Sequence, residues 1–465
     1  MHKTTIKSLP GPKGYPLVGN LFSLDLPNLH KQIEDWADEF GDIYRLNLGI
    51  FDQLVITRPS MIQAILNARP DGFIRNSKMN KIIREGGVHG VFNSEREEWQ
   101  RHRSIVAKGL DVKHQKDFYS AMEPVLERLY KKWQKSAETG EVFDIQKDLL
   151  RFTVDVTSSL AFGYPMNTLE QKGDAIQDQM EKVFPMIFKR INLAVPWYKI
   201  YRTKEDRAFT EAVKEMTRLV DQFIDAARER LAADPALKVN PPSVIESILV
   251  AAEEDENFSD EEVRGNLLTL LMAGEDTTAH TLTWMIYLLS QEPAVSAKMR
   301  AESDLVLGAE KWAKDYEMNS KMKYIEGAAF ETMRFKPVAP VLLFETTEDI
   351  EIEGLFIPKG QRVLTQYRHA ALKNDYFTEA KTFMPERWLK ESKCPVHSPA
   401  AFSPFGGGPR YCPGRNLAIL EVRMVMSMLL KNFDVELVTD YEAVDEIMAF
   451  TMMAGGYQVR LTKRT

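Results

Sequence analysis

Apolar residues recur at helical spacing through most of the chain. This periodicity predicts a helix at about Leu29 to Phe40, a short helix from Ser60 to Asn67 and another from Glu95 to Leu110. Helical patterns then dominate from Glu123 to Ala233, where acidic and basic residues mix in the manner of solvated faces. The chain is therefore expected to be mainly α-helical.

Residues that favour β-strands concentrate in two shorter parts of the chain, at about residues 40–60 and 340–370. In the first part, two strand-like segments flank a glycine-containing turn and predict a hairpin. In the second part, two more segments are separated by a Pro-Lys-Gly turn, and we expect them to join that hairpin in a smaller mixed β region. The strand-like segments are Ile43 to Leu48, Gln53 to Thr57, Ile350 to Ile357 and Gln361 to Leu364.

The segment between Pro70 and Asn93 shows neither the helical nor the strand periodicity of apolar residues, and its glycines are mixed with apolar residues such as Phe73 and Phe92. It is therefore expected to be a long loop. A long loop without periodicity is often functional, although a mobile surface loop has the same composition. Both interpretations stay open at this point.

One long helix is predicted near the middle of the chain. In a proline-free segment, Ser259 and Glu262 form a capping box at the start of a strongly apolar run. A helix from there to about Gln291 would have about 33 residues and a length of roughly 50 Å. Its apolar halves are separated by a stretch with several polar residues at 274–280, which is costly in a buried helix.

Composition narrows the class of protein. Apolar residues make up 44% of the 465 residues and charged residues 27%, which is ordinary for a soluble globular protein. Because no linker, repeat or change in composition divides the chain, we expect a single domain over residues 1–465. The net charge of -7 argues against a nucleic-acid partner.

The start of the chain and its cysteines indicate a compartment. The first residues contain no apolar run long enough to span a membrane and no signal peptide. The two cysteines, Cys394 and Cys412, provide no disulfide framework, which suits a reducing cytoplasm. We therefore expect a cytoplasmic monomer with no membrane anchor.

The more informative cysteine lies in the glycine-rich stretch Phe405 to Gly414, which reads FGGGPRYCPG. Cys412 precedes an apolar helix predicted from Arg415 to Lys431, and the amides and dipole of a helix N-terminus favour a thiolate. The glycines let a large flat ligand approach the backbone, and Arg410 can neutralise an anionic group beside it. These are the requirements of a thiolate-ligated haem, although a lone cysteine is more often a buried structural residue.

The pattern F-x-x-G-x-R-x-C-x-G is matched at Phe405, Gly408, Arg410, Cys412 and Gly414. On these residues the chain resembles the cytochrome P-450 family. The resemblance implies a mainly α fold with a long central helix over haem b (iron protoporphyrin IX). It also implies that Cys412 is the iron ligand and that the other matched residues of the turn bind the cofactor.

A second family motif lies in the interrupted part of the long helix. The pattern A-G-x-[DE]-T-[TS] is matched at Ala273, Gly274, Asp276, Thr277 and Thr278. The resemblance implies that Asp276 and Thr277 relay protons during dioxygen cleavage, beside a haem that Ala273 contacts. A polar kink without catalytic function would show the same residues, because threonine can bond to the carbonyl four residues earlier and bend a helix. We also expect Gly274 to leave room for a small ligand.

Trp99 and Arg103, four residues apart, lie on one face of the helix predicted at Glu95 to Leu110, and both can donate to a carboxylate. An ordinary surface pair is one interpretation. The family motif W-x-x-x-R also matches and implies contact with a haem propionate. Family members often carry an arginine where Phe344 or Glu345 stands here. Propionate neutralisation is therefore assigned to Trp99, Arg103, Arg410 and His369.

Glu331 and Arg334 match the family pattern E-x-x-R, and Arg387 in the PERW segment is expected to complete a buried triad. The pair alone would be a common helical ion pair, worth a few tenths of a kcal/mol. We interpret the triad as support for the fold rather than as catalytic machinery. Cys394 lacks the glycine turn and the following helix, so we expect it to be a surface thiol and not a ligand.

Substrate contacts are the least determined feature of the sequence. The candidates are Phe73, Phe92, Ala273 and Met452, although core packing is the more common role of a methionine. Basic residues in the segment before Asn93 permit a substrate with a carboxylate, such as a fatty acid. These basic residues are Arg75, Lys78, Lys81 and Arg84.

Together these features predict a soluble haem-thiolate monooxygenase that uses dioxygen to hydroxylate or epoxidise an apolar organic substrate. The sequence contains no dinucleotide fingerprint and no cysteine cluster, so electrons are expected from a separate ferredoxin or flavoprotein rather than from a fused reductase. A small basic face is a candidate docking surface for that donor. It consists of Arg101, Arg103, Lys108, Lys131, Lys132 and Lys135.

Two other functions stay open. A peroxide-dependent or rearranging haem-thiolate enzyme would need neither dioxygen nor a reductase, although such family members commonly lack the pair formed here by Asp276 and Thr277. A non-catalytic haem-binding sensor or carrier would bind the cofactor without forming product. A bacterial source is expected, because the chain starts almost at the proline-rich segment that follows the anchor of membrane-bound members.

Overall fold

A computed structural model describes residues 5–49, 51–164, 166–171, 175–193, 196–254, 258–390 and 398–464. Cys394, expected to be a surface thiol, lies outside these ranges. The helices are α1 Leu29–Phe40, α2 Pro59–Asn67, α3 Ser77–Glu85, α4 Arg96–Gly109, α5 Val112–Thr139, α6 Ile145–Phe162, α7 Ala175–Asn192, α8 Lys204–Ala233, α9 Val244–Glu254, α10 Asp260–Leu289, α11 Pro293–Leu307, α12 Tyr316–Ser320, α13 Lys323–Phe335, α14 Arg368–Ala371 and α15 Arg415–Asn432.

The strands form small sheets, so the expected fold class, mainly α with a mixed β region, is confirmed. The largest sheet has the order β1-β2-β8-β5-β3, and β2 runs parallel to β8 but antiparallel to β1. The other sheets are β4-β12-β9, β6-β7 and β10-β11. The strands are β1 Ile43–Asn47, β2 Asp52–Ile56, β3 Phe73–Arg75, β4 Val142–Phe143, β5 Val341–Thr346, β6 Ile350–Ile352, β7 Leu355–Ile357, β8 Arg362–Gln366, β9 Phe433–Leu437, β10 Asp445–Met448, β11 Met452–Gly455 and β12 Val459–Lys463.

Several local predictions are confirmed. Helix α1 has the predicted bounds, and β1 pairs with β2 as the predicted hairpin, with Ile43 opposite Ile56. Helix α10 has 30 residues and begins with the predicted capping box. The Ser259 amide donates to the Glu262 carboxylate at 2.8 Å, and the Glu262 amide donates to the Ser259 hydroxyl at 3.3 Å.

Two predictions are wrong. The segment from Pro70 to Asn93 is not one long loop, because it contains β3 and α3. The segment Ile350 to Ile357 does not join the early hairpin, because positive φ angles at Glu353 and Gly354 turn it back on itself as the pair β6 and β7. The following strand, β8, does join the hairpin, by pairing with β2.

The described residues form two compact units. The first comprises residues 5–79, 330–412 and 445–455, apart from the gaps given above, and contains the five-stranded sheet. One apolar cluster of this unit joins α2 to the sheet, and it includes Ile65 of α2 and Phe73 of β3, both fully buried. Burial of such a side chain contributes about 1.5–3 kcal/mol.

A buried ion cluster lies at strand β10 of the first unit. The Glu446 carboxylate lies 2.7 Å from the His30 ring and 3.0 Å from the Arg368 guanidinium, and the Lys336 ammonium also donates to it. Arg368 binds Glu34 as well, at 2.6 and 2.9 Å. Burial alone would raise the pKa of Glu446, but the hydrogen bond to His30 and the two cations hold it far below its usual range.

The second unit comprises residues 80–329, 413–444 and 456–464, again apart from the gaps. Helix α10 packs along α6 in this unit, and most of its residues are buried. The sheet β4-β12-β9 belongs to the same unit. Among the helices of the described ranges, none is both long enough and apolar enough to cross a bilayer.

Candidate functional site

The cysteine turn, from Phe405 to Cys412, belongs to the first unit and packs against α2. The Cys412 amide donates to the Phe405 carbonyl at 2.8 Å. Gly408 has a φ of 62°, and a side chain there would meet the Leu66 carbonyl at 2.3 Å, so both the conformation and the space require glycine. Gly406 has a φ of 72° and nothing within 4 Å of where a side chain would begin. The turn therefore packs closely against α2 at Gly408 and leaves open space beside Gly406.

Cys412 is accessible enough to be a ligand. The residue is partly exposed, whereas a structural cysteine would be buried. Two residues later Gly414 is the N-cap of α15, and it provides no side-chain cap for the first helix amides. Such amides favour a negative charge on a nearby sulfur. Together with the partly exposed Arg410, these features fit a thiolate-ligated haem.

The structure brings the three residues of the predicted triad together. The fully buried Glu331 accepts from Arg334 at 2.9 and 2.7 Å and from Arg387 at 3.3 Å. The Met384 amide and the Trp388 indole donate to the same carboxylate at 2.8 and 2.9 Å. Every contact lies within the first unit, so the geometry matches the expected structural support of that unit.

The residues assigned to the haem propionates lie in both units. Trp99 is buried and Arg103 is partly exposed on α4 of the second unit, whereas Arg410 belongs to the first. His369, also assigned to a propionate, lies 2.8 Å from the carboxylate of Asp38. Its ring therefore already has an anionic partner.

Arg75 stands beside the position where the family arginine is absent. Strand β3 pairs with β5 so that Arg75 lies directly opposite Phe344, and residues opposite each other in an antiparallel pair extend to the same face. The Arg69 guanidinium lies 4.9 Å from the centre of the Phe344 ring. Two arginines therefore flank Phe344, and the sequence analysis did not assign either of them to the cofactor.

The family motif of α10 forms an accessible window in an otherwise mostly buried helix. Ala273 is exposed, and Gly274, Asp276 and Thr277 are partly exposed, although the flanking turns are mostly buried. The Thr277 hydroxyl donates to the Ala273 carbonyl at 2.8 Å, and Thr281 bonds to the Thr277 carbonyl in the same way. An acid and a hydroxyl are thus accessible one turn from a small residue.

The space beside Gly274 is filled by α6. A side chain at Gly274 would meet the Thr157 hydroxyl at 2.5 Å. Thr153, one turn earlier on α6, donates to the Glu275 carbonyl at 2.9 Å. Glycine is therefore needed here for the close approach of two helices. The prediction that Gly274 leaves room for a small ligand is wrong.

A buried carboxyl on α15 was missed by the sequence analysis. Glu421 is 1% exposed, and it forms a hydrogen bond with the side chain of Thr278, the last residue of the α10 motif. Burial raises the pKa of Glu421 well above its usual value despite this hydrogen bond, which favours the neutral carboxyl. The available signal was an acid inside the apolar run LAILEVRMVM.

The four candidate substrate contacts differ in accessibility. Phe92 is partly exposed and Ala273 is exposed. Phe73 and Met452 are fully buried in the first unit, where the Met452 sulfur lies 3.9 Å from the Arg368 guanidinium. The accessible pair is therefore better placed to meet a ligand.

Half of the residues in the expected basic docking face are neutralised by carboxylates. The ion pairs are Lys131–Glu127 at 2.8 Å, Lys132–Asp148 at 3.1 Å and Arg101–Glu262 at 3.0 Å. The positive charge of this face is therefore smaller than the sequence indicates.

Comparisons with known proteins agree with the geometry of the cysteine turn. The family model for cytochrome P450 matches residues 9–461. A bifunctional cytochrome P450/NADPH–P450 reductase 2 from Bacillus subtilis is 28% identical over 94% of this chain, and the chain spans 41% of that relative. The chain spans a similarly small share, 42%, of a second bifunctional relative, from Bacillus cereus.

Other relatives are closer to this chain in length. A probable cytochrome P450 4e1 from Drosophila melanogaster is 24% identical over 96% of this chain and 85% of its own. Cytochrome P450 3A31 from Mesocricetus auratus is 26% identical over 92% of this chain and 86% of its own. Because the relatives include animal as well as bacterial proteins, a bacterial source stays a prediction. Proteins of this kind bind haem b through a cysteine thiolate, the group that the Cys412 turn fits, and the chain belongs to the cytochrome P450 family of oxidoreductases.

Proposed function

We propose that the protein is a monooxygenase that hydroxylates or epoxidises an apolar organic substrate with dioxygen. The observation that carries the proposal is the accessible window of Ala273, Asp276 and Thr277 in a helix whose flanking turns are mostly buried. A haem carrier has no need for an acid and a hydroxyl at such a place, whereas proton delivery to a reacting group requires them.

Cys412 is proposed to hold the haem iron as a thiolate. When bound, the haem supplies the redox chemistry that reduces dioxygen and transfers one oxygen atom. Gly406 leaves room for a flat ring because no side chain projects into the open space beside it, and Gly408 lets the turn pack against α2. The cysteine turn thus contributes binding and charge.

The propionates are proposed to bind Trp99, Arg103 and Arg410, with Arg75 as a further cation. Arg75 enters this set because β-sheet pairing places it opposite Phe344, which with Glu345 marks the place where family members often carry an arginine. A guanidinium can bind a carboxylate through two parallel N–H groups, so an arginine on the neighbouring strand can supply the same contact.

Asp276 and Thr277 are proposed to move protons. The Thr277 hydroxyl already donates to the Ala273 carbonyl, so its oxygen can accept a hydrogen bond from a water molecule. Asp276 is adjacent in sequence and partly exposed, which allows its carboxyl to exchange protons with solvent. The pair can therefore keep a proton source at the window.

The cofactor assignment is tested by the absorption spectrum of the reduced protein with carbon monoxide. The wild type should show the absorption that is diagnostic of thiolate ligation, and Cys412→Ala should lose it. Cys394→Ala is the matched control and should leave the spectrum unchanged. A histidine-type spectrum in the wild type would contradict the proposal.

The oxygen chemistry is tested by counting product formed per NADPH consumed. Thr277→Ala should lower this ratio on the order of tenfold or more, because protons no longer arrive in order. Thr281→Ala removes the same type of back-bonded hydroxyl one turn away and should behave like the wild type. Equal turnover with hydrogen peroxide alone would favour the peroxide-dependent alternative. Bound haem without any NADPH oxidation would favour the sensor.

The electron donor is proposed to be a flavoprotein like the reductase named in the bifunctional relatives, rather than a ferredoxin.

The proposal of a fatty-acid-like substrate rests mainly on Lys78 and Lys81, because Arg84 contacts Glu98 at 3.1 Å. Titrations with dodecanoic acid and its methyl ester test that proposal. Equal shifts of the haem spin state by the acid and the ester would count against a carboxylate contact.

A further inference from the structure

The loop at residues 86–94 touches α10 backbone to backbone. A side chain at Gly90 would lie 2.8 Å from the Asn266 side-chain oxygen and from the Gly265 carbonyl. A side chain at Gly265 would lie 2.0 Å from the His89 carbonyl. Each partner therefore contributes one glycine to the contact, and neither position has space for a methyl group.

Asn266 of α10 joins this loop to α4. The Val91 amide donates to Asn266 Oδ1 at 2.9 Å, while Asn266 Nδ2 donates to the Glu262 carbonyl at 2.8 Å and to His102 Nδ1 at 2.6 Å. A backbone N–H can only donate, so Val91 identifies the oxygen and fixes the orientation of the amide. Asn266 and His102 are both 0% exposed. One buried amide thus connects three elements.

The Asn266 bond also fixes the tautomer of His102. Because Nδ1 accepts a hydrogen bond, Nε2 carries the proton of the neutral ring, and it lies 3.3 Å from a Glu262 oxygen. Glu98, His102 and Glu262 have ligand atoms within 4.8 Å of one another, which resembles a metal site. A protonated nitrogen cannot bind a metal, and histidine ligands usually donate from their second nitrogen. The cluster therefore connects α4 to α10 and is not interpreted as a metal site.

The loop is held by its own hydrogen bonds between these anchors. Asn93 accepts from the Gly90 amide at 3.0 Å and donates to the Val88 carbonyl at 2.7 Å. Val91 and Asn93 are buried, and Phe92 between them is partly exposed. The backbone of Phe92 therefore lies between two buried neighbours, one of which is bonded to Asn266.

We propose that Asn266 is a positioning residue that sets substrate selectivity by fixing Phe92, without contacting the substrate itself. This inference rests on the proposed function, in which Phe92 is a substrate contact. Loss of the Asn266 side chain removes the hydrogen bond from the buried Val91 amide and the hydrogen bond to His102 Nδ1, which is costly. The loop then gains freedom at the residue next to Phe92, while the cysteine turn keeps its contacts.

The test compares two ligands that bind haem iron, imidazole and 4-phenylimidazole. Imidazole reports the iron site, whereas the phenyl group also reaches the surrounding side chains. Asn266→Ala should raise the ratio of the 4-phenylimidazole to the imidazole dissociation constant by about fivefold or more, and Phe92→Ala should do the same. In the double variant the two effects should not add, because Asn266 acts through Phe92. An unchanged ratio in Asn266→Ala, or additive effects, would overturn the inference.

Two further variants separate positioning from general loss of stability. Gln115→Ala removes another buried amide, which donates to the Leu110 carbonyl at 2.9 Å, and should leave the ratio unchanged. Asn266→Asp keeps an acceptor for the Val91 amide but loses the donor to His102, so its ratio should lie closer to that of the wild type. A ratio for Gln115→Ala as high as that for Asn266→Ala would refute a specific role.

Hydrogen exchange makes the test independent of the cofactor. In Asn266→Ala the amide of Val91 should exchange faster than in the wild type, whereas Gln115→Ala should leave its exchange unchanged. If the wild type fails to bind haem, the proposed function fails, yet faster exchange would still support the anchoring of the loop. Unchanged exchange would refute the anchoring whatever the spectra show.

Discussion

Replacement of Glu331 by glutamine should be among the most destabilising single changes in the first unit. The carboxylate accepts five hydrogen bonds, three of them from Arg334 and Arg387, and it is fully buried. Glutamine keeps the shape but removes the negative charge and directs an N–H group at other donors. Breaking a buried ion pair in this way costs about 3–5 kcal/mol. The free energy of unfolding of natural domains is only about 5–15 kcal/mol, so this substitution should remove a large fraction of it.

Urea unfolding, followed by circular dichroism and by tryptophan fluorescence, measures this loss, and agreement of the two probes shows whether a single transition applies. The control is Glu215→Gln, which breaks an exposed pair with Arg218 at the same spacing of three residues. Solvent screens that pair, so its unfolding midpoint should match that of the wild type. If the unfolding midpoint falls no further for Glu331→Gln than for Glu215→Gln, the buried-charge reasoning is refuted.

Three further outcomes are expected. Burial raises the pKa of Glu421, so the contribution of this carboxyl to stability is complete below its unfolded pKa and is lost as the pH rises. The urea midpoint of Glu421→Gln should therefore depend less on pH than that of the wild type above about pH 5. Burial lowers the pKa of His280 to about 4, so the contribution of this ring to stability is present above its unfolded pKa and is lost as the pH falls. In urea titrations, His280→Leu should therefore lose less stability than the wild type between about pH 7 and pH 5. Gly408→Ala should reduce haem content, measured by absorbance per protein, because its side chain would meet the Leu66 carbonyl, and normal loading would contradict this.

Local patterns in the sequence predicted much of the fold. The bounds of α1 follow from helical periodicity, and the start of α10 follows from the capping box of Ser259 and Glu262. The turn at Glu353 and Gly354 also has a sequence signal, because a glycine inside the segment allows the positive φ angle that a two-residue hairpin turn requires.

Distant pairings account for most of the rest. Strand β3 exists because Phe73 to Arg75 pair with residues near 345, a partner that no local window contains. The same pairing brings Arg75 opposite Phe344, a neighbour that local sequence patterns do not indicate. Asn266 likewise appears in the sequence as one more polar residue of a helix. Its proposed role depends on its contacts with Val91 and His102, which the fold places against it.

During synthesis, the ion cluster around Glu446 must assemble late. His30 meets Glu446 across a separation of 416 residues, and Arg368 and Lys336 also wait for the same carboxylate. At about 5–20 residues per second, the ribosome needs about 20–80 s to cover that distance. The ion cluster of the first unit is therefore incomplete until residue 446 has been synthesised. A nascent chain stalled before residue 446 is expected to depend on chaperones, and a pulse of labelled ribosome-bound chains would show protease resistance in this unit only after that residue emerges.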